Sequence, residues 1–386
     1  MTEIEQRRRG VSLQLAARKV DALIVSSPAN VRYLSGYVGS NGLMLIIPLE
    51  AHFFTDPRYA AEVAGAMTCK THVEKGGLIL GAAAIIKRKA LRRLGFEPAW
   101  MTMEQYESLK KAVPQGVSLH PVSSLVEDLR AVKSTTEIAL IRRSVLANSE
   151  AFARTMKRVR VGLSELEIAA ELEFQMKTLG CEKPAFDTIV ATGERSALPH
   201  AHPSSRRVQG NELLLIDMGA TLDGYTSDMT RMAFTGTPPK RVRDLYRAVL
   251  EAQLAGLNAL RPGISVDKVD AAARDVLKGH KLDKEFMHST GHGLGLEIHE
   301  IPKIGKKDRV KKSQTPGNLT QNGVRKHLDQ KQEKKDPVVL RAGMVITIEP
   351  GAYIRGFGGV RIEDTALVTE RGCEVLTPTS KEFINL

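Results

Sequence analysis

Only three cysteines occur in 386 residues, Cys69, Cys181 and Cys373, widely separated and in no CxxC spacing. That argues against a disulfide framework and a cysteine-built zinc site, and it suits a reducing compartment. Long apolar runs are missing too. LILGAAAII at 78–86 is too short for a bilayer, which needs about 20 apolar residues. The opening MTEIEQRRRGVSLQLAARKVDALIVSS has basic residues but no apolar core of the kind a secretory signal carries, so a soluble, cytoplasmic chain is expected. There is no GxSxG elbow, no cysteine in a motif with a histidine partner, and no HExxH helix; GHGLGLE lacks the third glycine of GxGxxG. Side-chain nucleophiles thus have little support, and chemistry would fall to a metal-activated water.

What is present is a chain long enough for two domains, with 42% hydrophobic residues to fill their cores. Acids are outnumbered, giving a net charge of +12, yet seven of those charges fall in 303–336, where eleven lysines and arginines face four acids. The stretch KKSQTPGNLTQNGVRKHLDQKQEKKD is polar and almost free of aromatics, as expected of a solvated basic insertion rather than a nucleic-acid surface.

The first third has the pattern of a small α/β domain. VDALIVSS (20–27), GLMLIIP (42–48) and AHFFTD (51–56) read as strands, followed by amphipathic stretches at 57–66, 77–93 and 103–112. A boundary is expected near 125–136, where Ser134-Thr135-Thr136-Glu137 offers a helix start. Beyond it the pattern repeats in outline. Helices are expected at 136–158 and 164–179 before strands carrying Asp217 and Asp228, then at 240–258 and 265–279 before strands carrying Glu349 and Glu363. The paired acids stand 11 residues apart in one half and 14 in the other, which suggests two related halves each giving an acidic hairpin to one site.

Strand parity places Leu213, Leu215 and Asp217 on one face and Leu214, Ile216 and Met218 on the other, and sets Arg361 on the side of Glu363. One such acid alone is ordinarily a solvent-facing or ion-paired residue. Four of them, with flanking glycines and His292 between the halves, form a far more specific set. Gathered in one pocket they would repel one another unless cations, either Arg231 and Arg361 or metal ions, held them together. The segment HSTGHGLGLEIHE contains His288, His292 and His299, and its glycines favour a close-packed loop or bent strand over a helix.

In their order and combination, SALPHAHPSSR, LLLIDMGATLDGYTSDMTR, HSTGHGLGLEIHE, VITIEPGAY and GGVRIEDTALVT resemble the prolidase and aminopeptidase P members of the creatinase and methionine-aminopeptidase superfamily. The likeness covers nearly the whole chain except 303–336. It implies an α+β architecture, with a smaller N-terminal α/β domain of creatinase type (1–130) and a C-terminal pita-bread catalytic domain (131–386) carrying the insertion.

The same resemblance implies the chemistry. Asp217, Asp228, His292, Glu349 and Glu363 would hold two divalent metal ions, Asp228 and Glu363 bridging them, Asp217 serving one and His292 with Glu349 the other. Mostly oxygen ligands with one imidazole suit manganese first, with cobalt or zinc as alternatives. Such a pair lowers the pKa of a shared water. The implied reaction is hydrolysis of the Xaa-Pro bond in Xaa-Pro dipeptides or short Xaa-Pro peptides. Prolidase is favoured, and aminopeptidase P, acting on longer peptides, is the alternative. His200 would contact substrate, His299 would stabilise the tetrahedral intermediate or leaving group, and Glu349 would carry the proton to the departing nitrogen. His288 and Arg361 would keep ligands oriented. The family also suggests a homodimer. A non-catalytic binding protein on this scaffold would be expected to lose ligands, and all five are kept. Asn211 stands where relatives commonly have an acid, a change expected to touch only a local turn.

Overall fold

The computed structural model describes residues 1–306 and 337–386. Most of the expected basic insertion, 307–336, therefore lies outside the described residues. Two compact units are present, Met1–Val132 and Lys133–Leu386. No helix among the described residues is long and apolar enough to cross a membrane.

In the first unit the strands are β1 (Ala22–Val25), β2 (Gly42–Ile47), β3 (Glu50–Thr55), β4 (Lys70–Val73), β5 (Arg93–Phe96) and β6 (Ser118–Pro121). They form one mixed sheet in the order β4-β3-β2-β1-β5-β6, with β1 antiparallel to β2 and parallel to β5. Ile24, Leu45, Phe54 and Leu94 make its core with Ala82 and Ile86 of the helix Leu78–Arg88. Three helices went unforeseen, Glu3–Gln14, Pro28–Ser35 and the short Leu125–Arg130. Glu3–Gln14 buries only Arg8 and Val11, so it has no apolar stripe, yet Thr2 and Glu5 close a capping box on it. Pro28–Ser35 is set by local punctuation: Ser27 as cap, proline in the first turn, and Gly36 in the left-handed region at φ 78.

The second unit contains β7 (Lys183–Pro184), β8 (Ile189–Thr192), β9 (Leu213–Met218), β10 (Ala220–Leu222), β11 (Tyr225–Thr226), β12 (Met229–Phe234) and β13 (Gly291–Gly293). It continues with β14 (Glu300–Ile304), β15 (Val345–Ile348), β16 (Gly351–Ile354), β17 (Gly358–Arg361), β18 (Asp364–Val368), β19 (Cys373–Val375) and β20 (Ile384–Asn385). The two expected helix pairs are Thr135–Met156 with Glu165–Thr178, and Lys240–Ala259 with Val266–Gly279. Ser134 and Glu137 close a capping box at the first of these starts, as the sequence indicated. Asn211 takes φ 61, a turn conformation that asparagine tolerates well.

Each half then builds an antiparallel pair. β9 meets β12 with Asp217 opposite Thr230, and β15 meets β18 with Ile348 opposite Asp364. Both faces of β9 are covered. Leu213 and Leu215 pack with Phe234 and Val249, while Leu214, Ile216 and Met218 pack with Ile168, Leu172 and Val190. Burial on both sides leaves no solvent face for a charge, so polar groups here need partners.

Arg231 shows how that need is met. It is 1% exposed and places every donor: Nε on the Ser380 carbonyl, Nη1 on the carbonyls of Thr230 and Glu363, Nη2 on Asp364 and the Thr379 carbonyl. Replacing Arg231 by methionine would leave Asp364 Oδ1 and the carbonyls of Thr379 and Ser380 without this donor, although Lys381 and Gln253 still hold Asp364 Oδ2, and is expected to cost about 3 kcal/mol in urea denaturation. Ser134→Ala, which removes only a helix cap, is expected to cost about 1 kcal/mol.

Candidate metal centre

Asp217 projects from within β9 as expected, but the other three acids do not lie within strands. Asp228 comes immediately before β12, Glu349 immediately after β15, and Glu363 immediately before β18. Thr230 and Thr347, inside β12 and β15, turn their hydroxyls toward the same place. The main chains of the three acids are stitched to neighbouring segments. The Glu349 N–H donates to the Thr290 carbonyl at 2.7 Å and the Glu363 N–H to the Thr230 carbonyl at 3.3 Å. The Thr365 hydroxyl donates to the Asp228 carbonyl at 3.0 Å.

These ends converge. Donor atoms of Asp228, His292 and Glu363 lie within 4.8 Å of one another, and all three residues are buried. Glu349 joins them, with its Oε1 3.6 Å from His292 Nε2. Asp217 adds its charge to those of Asp228, Glu349 and Glu363. All five sequence-derived ligands thus belong to one electrostatic unit.

Its energetics favour positive charge. Burial first, then the charges of Glu363, Asp217 and Glu349, raise the Asp228 carboxyl well above its ordinary range. Burial and the charges of Glu349 and Asp217 do the same to Glu363. Glu349 is pushed up to about 8, chiefly by burial, although Arg361 opposes the shift. Buried atoms Asp217 Oδ1 and Glu363 Oε1 have no hydrogen-bond partner. A buried carboxylate oxygen without a donor is costly unless a cation meets it.

His292 supplies the complementary half of this test. Its Nδ1 lies 3.0 Å from the Gly293 carbonyl, which fixes the proton on Nδ1 and leaves a bare lone pair on Nε2. That lone pair faces Asp228 Oδ2 and Glu349 Oε1, each at 3.6 Å, too far for a hydrogen bond. Burial also depresses the His292 pKa to about 4, so the ring is neutral near pH 7. A neutral nitrogen and several carboxylates turned toward one another suit a divalent cation and little else.

The glycines of this segment have a steric cause. A Cβ on Gly291 would sit 1.8 Å from the Thr347 carbonyl oxygen, and one on Gly293 2.4 Å from that of Ile301. β13 is thereby pressed between β14 and β15, with a bulge at His292/Gly293, which is the bent strand the sequence suggested. The Thr347 hydroxyl accepts the His292 N–H at 3.1 Å.

Arg361 does not lean on Glu363, contrary to expectation from strand parity. Its Nη2 pairs with Asp217 Oδ2 at 2.6 Å, and its Nε donates to the Thr230 hydroxyl at 3.0 Å. That hydroxyl in turn donates to Glu363 Oε2 at 2.7 Å, so arginine reaches Glu363 only through threonine. Parity failed because β17 ends at Arg361, and the chain turns before Glu363. Nor does Arg231 neutralise any of the four carboxylates; its contact with Glu363 is to the carbonyl.

Arg361 Nη1 also donates to the Tyr353 hydroxyl at 2.8 Å, and that hydroxyl meets His288 Nε2 at 2.9 Å. With His288 Nδ1 on the Ser289 carbonyl at 2.8 Å, Tyr353 is the donor to Nε2. Burial and the Arg361 charge lower His288 to about 4, which keeps this tautomer neutral. His299 stands with its ring 4.5 Å from that of His292, edge to face. Burial and then the influence of His200 lower its pKa. His200 and His202 are exposed on the irregular segment after β8. Thr230 and Tyr353 were missed in the sequence. Thr230 shares parity with Asp228, which was a usable signal; nothing local singled out Tyr353.

Comparison with known proteins identifies the family. Residues 139–370 match metallopeptidase family M24, and 7–132 match the creatinase/prolidase N-terminal domain. A Xaa-Pro dipeptidase of Pyrococcus furiosus is 35% identical over 365 residues, 95% of this chain and 95% of its own. The structure of a Xaa-Pro dipeptidase from Bacillus anthracis superposes with a TM-score of 0.89 at 33% identity, covering 99% of this chain and all of that one. An X-Pro aminopeptidase from Thermotoga maritima gives 0.83 at 30% identity, over 95% and 98% of the two chains. The fold is therefore α+β, a pita-bread unit with an N-terminal creatinase domain.

The raised carboxyls make metal-free stability depend on pH. Glu349 moves from 4.5 to about 8 on folding, so its contribution is complete below pH 4.5 and is lost as pH rises through about 8. His288 and His292, lowered from 6.5 to about 4, act in the opposite sense below pH 6.5. Between pH 7 and 8 the carboxyls outweigh what remains of the histidine titration, and the Tm of chelated protein is expected to fall, by about 2–4 °C for each ~1 kcal/mol lost. Added Mn2+ should abolish the fall and Glu349→Gln should flatten it. A Tm that holds steady or rises over that window in chelated protein refutes the electrostatic account.

Proposed function

The chain belongs to metallopeptidase family M24, and from that premise we propose that it hydrolyses the Xaa-Pro bond of dipeptides, as a prolidase does. The observation that carries this reading is the meeting of Asp228, His292 and Glu363 within 4.8 Å, beside relatives that are Xaa-Pro dipeptidases. Two divalent ions would be held by Asp228, His292 and Glu363 together with Asp217 and Glu349. Manganese is the first choice, with cobalt or zinc as alternatives. Bound there, the ions would supply Lewis acidity and a water acidic enough to ionise near neutral pH.

The protein's own groups do the rest. A bond before proline lacks the N–H that peptide-binding sites commonly read, and its ring restricts the backbone, so position must come from contacts around the scissile carbonyl. His200 and His299 supply those contacts, His299 from beside His292. Glu349, partly exposed at the edge of the cluster, takes the proton of the attacking water on a carboxylate oxygen and passes it to the proline nitrogen as the C–N bond breaks. Arg361 and Tyr353 hold Asp217 and His288 in place, which prevents the cluster from relaxing between turnovers.

Residues 131–386 would be the catalytic domain and 1–130 its N-terminal companion, in a cytoplasmic homodimer. Likeness to an X-Pro aminopeptidase supports the second reading, release of the first residue from longer peptides.

Hydrolysis of Ala-Pro, Gly-Pro and Xaa-Pro-Xaa peptides, measured with manganese and after chelation, separates the readings. Metal-dependent cleavage of dipeptides is expected, with Asp228→Asn or Glu363→Gln losing at least ~1,000-fold in kcat. Preference for the tripeptides would establish the aminopeptidase instead, and no cleavage of either class by metal-loaded protein would refute both.

A further inference from the structure

His200 has no regular secondary structure around it. It sits in the segment 193–203, which leaves the turn Gly193–Ala197 as irregular backbone, and its side chain is exposed. A group that contacts substrate from such a segment must owe its position to whatever ties the segment down.

A buried carboxylate on the next helix does so. Glu165, the first residue of the helix Glu165–Thr178, is fully buried. Its Oε1 accepts from the Thr192 N–H at 2.9 Å, the Thr192 hydroxyl at 3.0 Å and Arg195 Nε at 3.1 Å. Its Oε2 accepts from Arg195 Nε at 3.0 Å, the Ser204 N–H at 2.9 Å and the Ser204 hydroxyl at 2.7 Å. Thr192 and Ser204 bracket the segment, and Arg195 lies inside it, where its Nη2 reaches the His202 carbonyl at 2.6 Å. The apex is tied separately: Arg361, while holding Asp217, donates to the Pro199 carbonyl at 3.2 Å.

We infer that Glu165 is a positioning residue for His200, closing both ends of the 193–203 segment so that Arg361 can hold its apex against the carboxylate cluster. The inference rests on the proposed role of His200 in binding substrate. A carboxylate is required because every partner is a donor. Glutamine would offer one acceptor oxygen and set an NH2 group against the donors on the other side. Displacement of a substrate-contacting group by about 1 Å can cost ~100-fold in rate.

The test compares Glu165→Gln, His200→Ala and the double variant in Ala-Pro hydrolysis, alongside amide hydrogen exchange of residues 193–203. Glu165→Gln is expected to lower kcat/KM about 10–100-fold with His200 present but less than about 3-fold in the His200→Ala background. Exchange should quicken in 193–203 and stay unchanged elsewhere. An equal loss in both backgrounds, or unchanged exchange in that segment, overturns the inference. If Glu165→Gln does not accumulate, Ser204→Ala removes one donor to Glu165 together with the acceptor of the Arg206 N–H; a loss of about 3–10-fold confined to the His200 background is expected, and an equal loss in both overturns it. Should the unmodified protein cleave no Xaa-Pro peptide, the functional reading fails by itself, and the exchange measurement still decides whether Glu165 clamps the segment.

Discussion

Mutual repulsion among buried carboxylates is the constraint that organises the second unit. Asp228 and Glu363 stand close enough to share a ligand-sized space, with Glu349 and Asp217 adding to the same field. Left to themselves such groups hold their protons or push apart. The surrounding structure prevents the second outcome, since the strands that present them are tied together on both sides, and so the cluster keeps its affinity for positive charge. The neutral His292, with its proton committed to the Gly293 carbonyl, adds a lone pair to that demand rather than relieving it.

The two arginines divide the work of containment. Arg361 faces the cluster and pairs directly with one carboxylate, Asp217, while its charge only partly offsets the repulsion felt by the others. Arg231 faces away and spends its hydrogen bonds on main-chain carbonyls and Asp364, so it fixes the strand ends without quenching their charge. Had either guanidinium paired with Asp228 or Glu363 directly, the site would be a salt bridge and chemically inert.

Much of this was legible in the chain. The helix pairs lie within two residues of where periodicity and capping residues place them, because both signals are local. Alternation in Leu213–Met218 correctly assigned both faces of β9, since each face meets a different apolar layer. The five candidate ligands stood out as a set, although the ordinary reading of any single acid is a surface residue. What failed was non-local. Parity put Arg361 beside Glu363 because it assumed an unbroken strand, whereas the ladder ends between them. The helix Glu3–Gln14 escaped notice because its buried residues are only an arginine and a valine. Glu165 gave no signal at all: a glutamate at the start of a helix reads as favourable charge at a helix terminus, and only the folded chain brings Thr192 and Ser204 around it.

The split origin of the clustered carboxylates has a mechanical meaning as well. Asp228 and Glu363 are 135 residues apart in the chain, one from each half, yet they contribute to a single cluster. Any ion they share is a reversible cross-link that closes a loop of that length, removing conformational freedom that neither half could restrict alone. With an ion bound there, metal occupancy and the integrity of the seam between the halves would be one equilibrium, and the supply of free cation would set how tightly the halves are sewn.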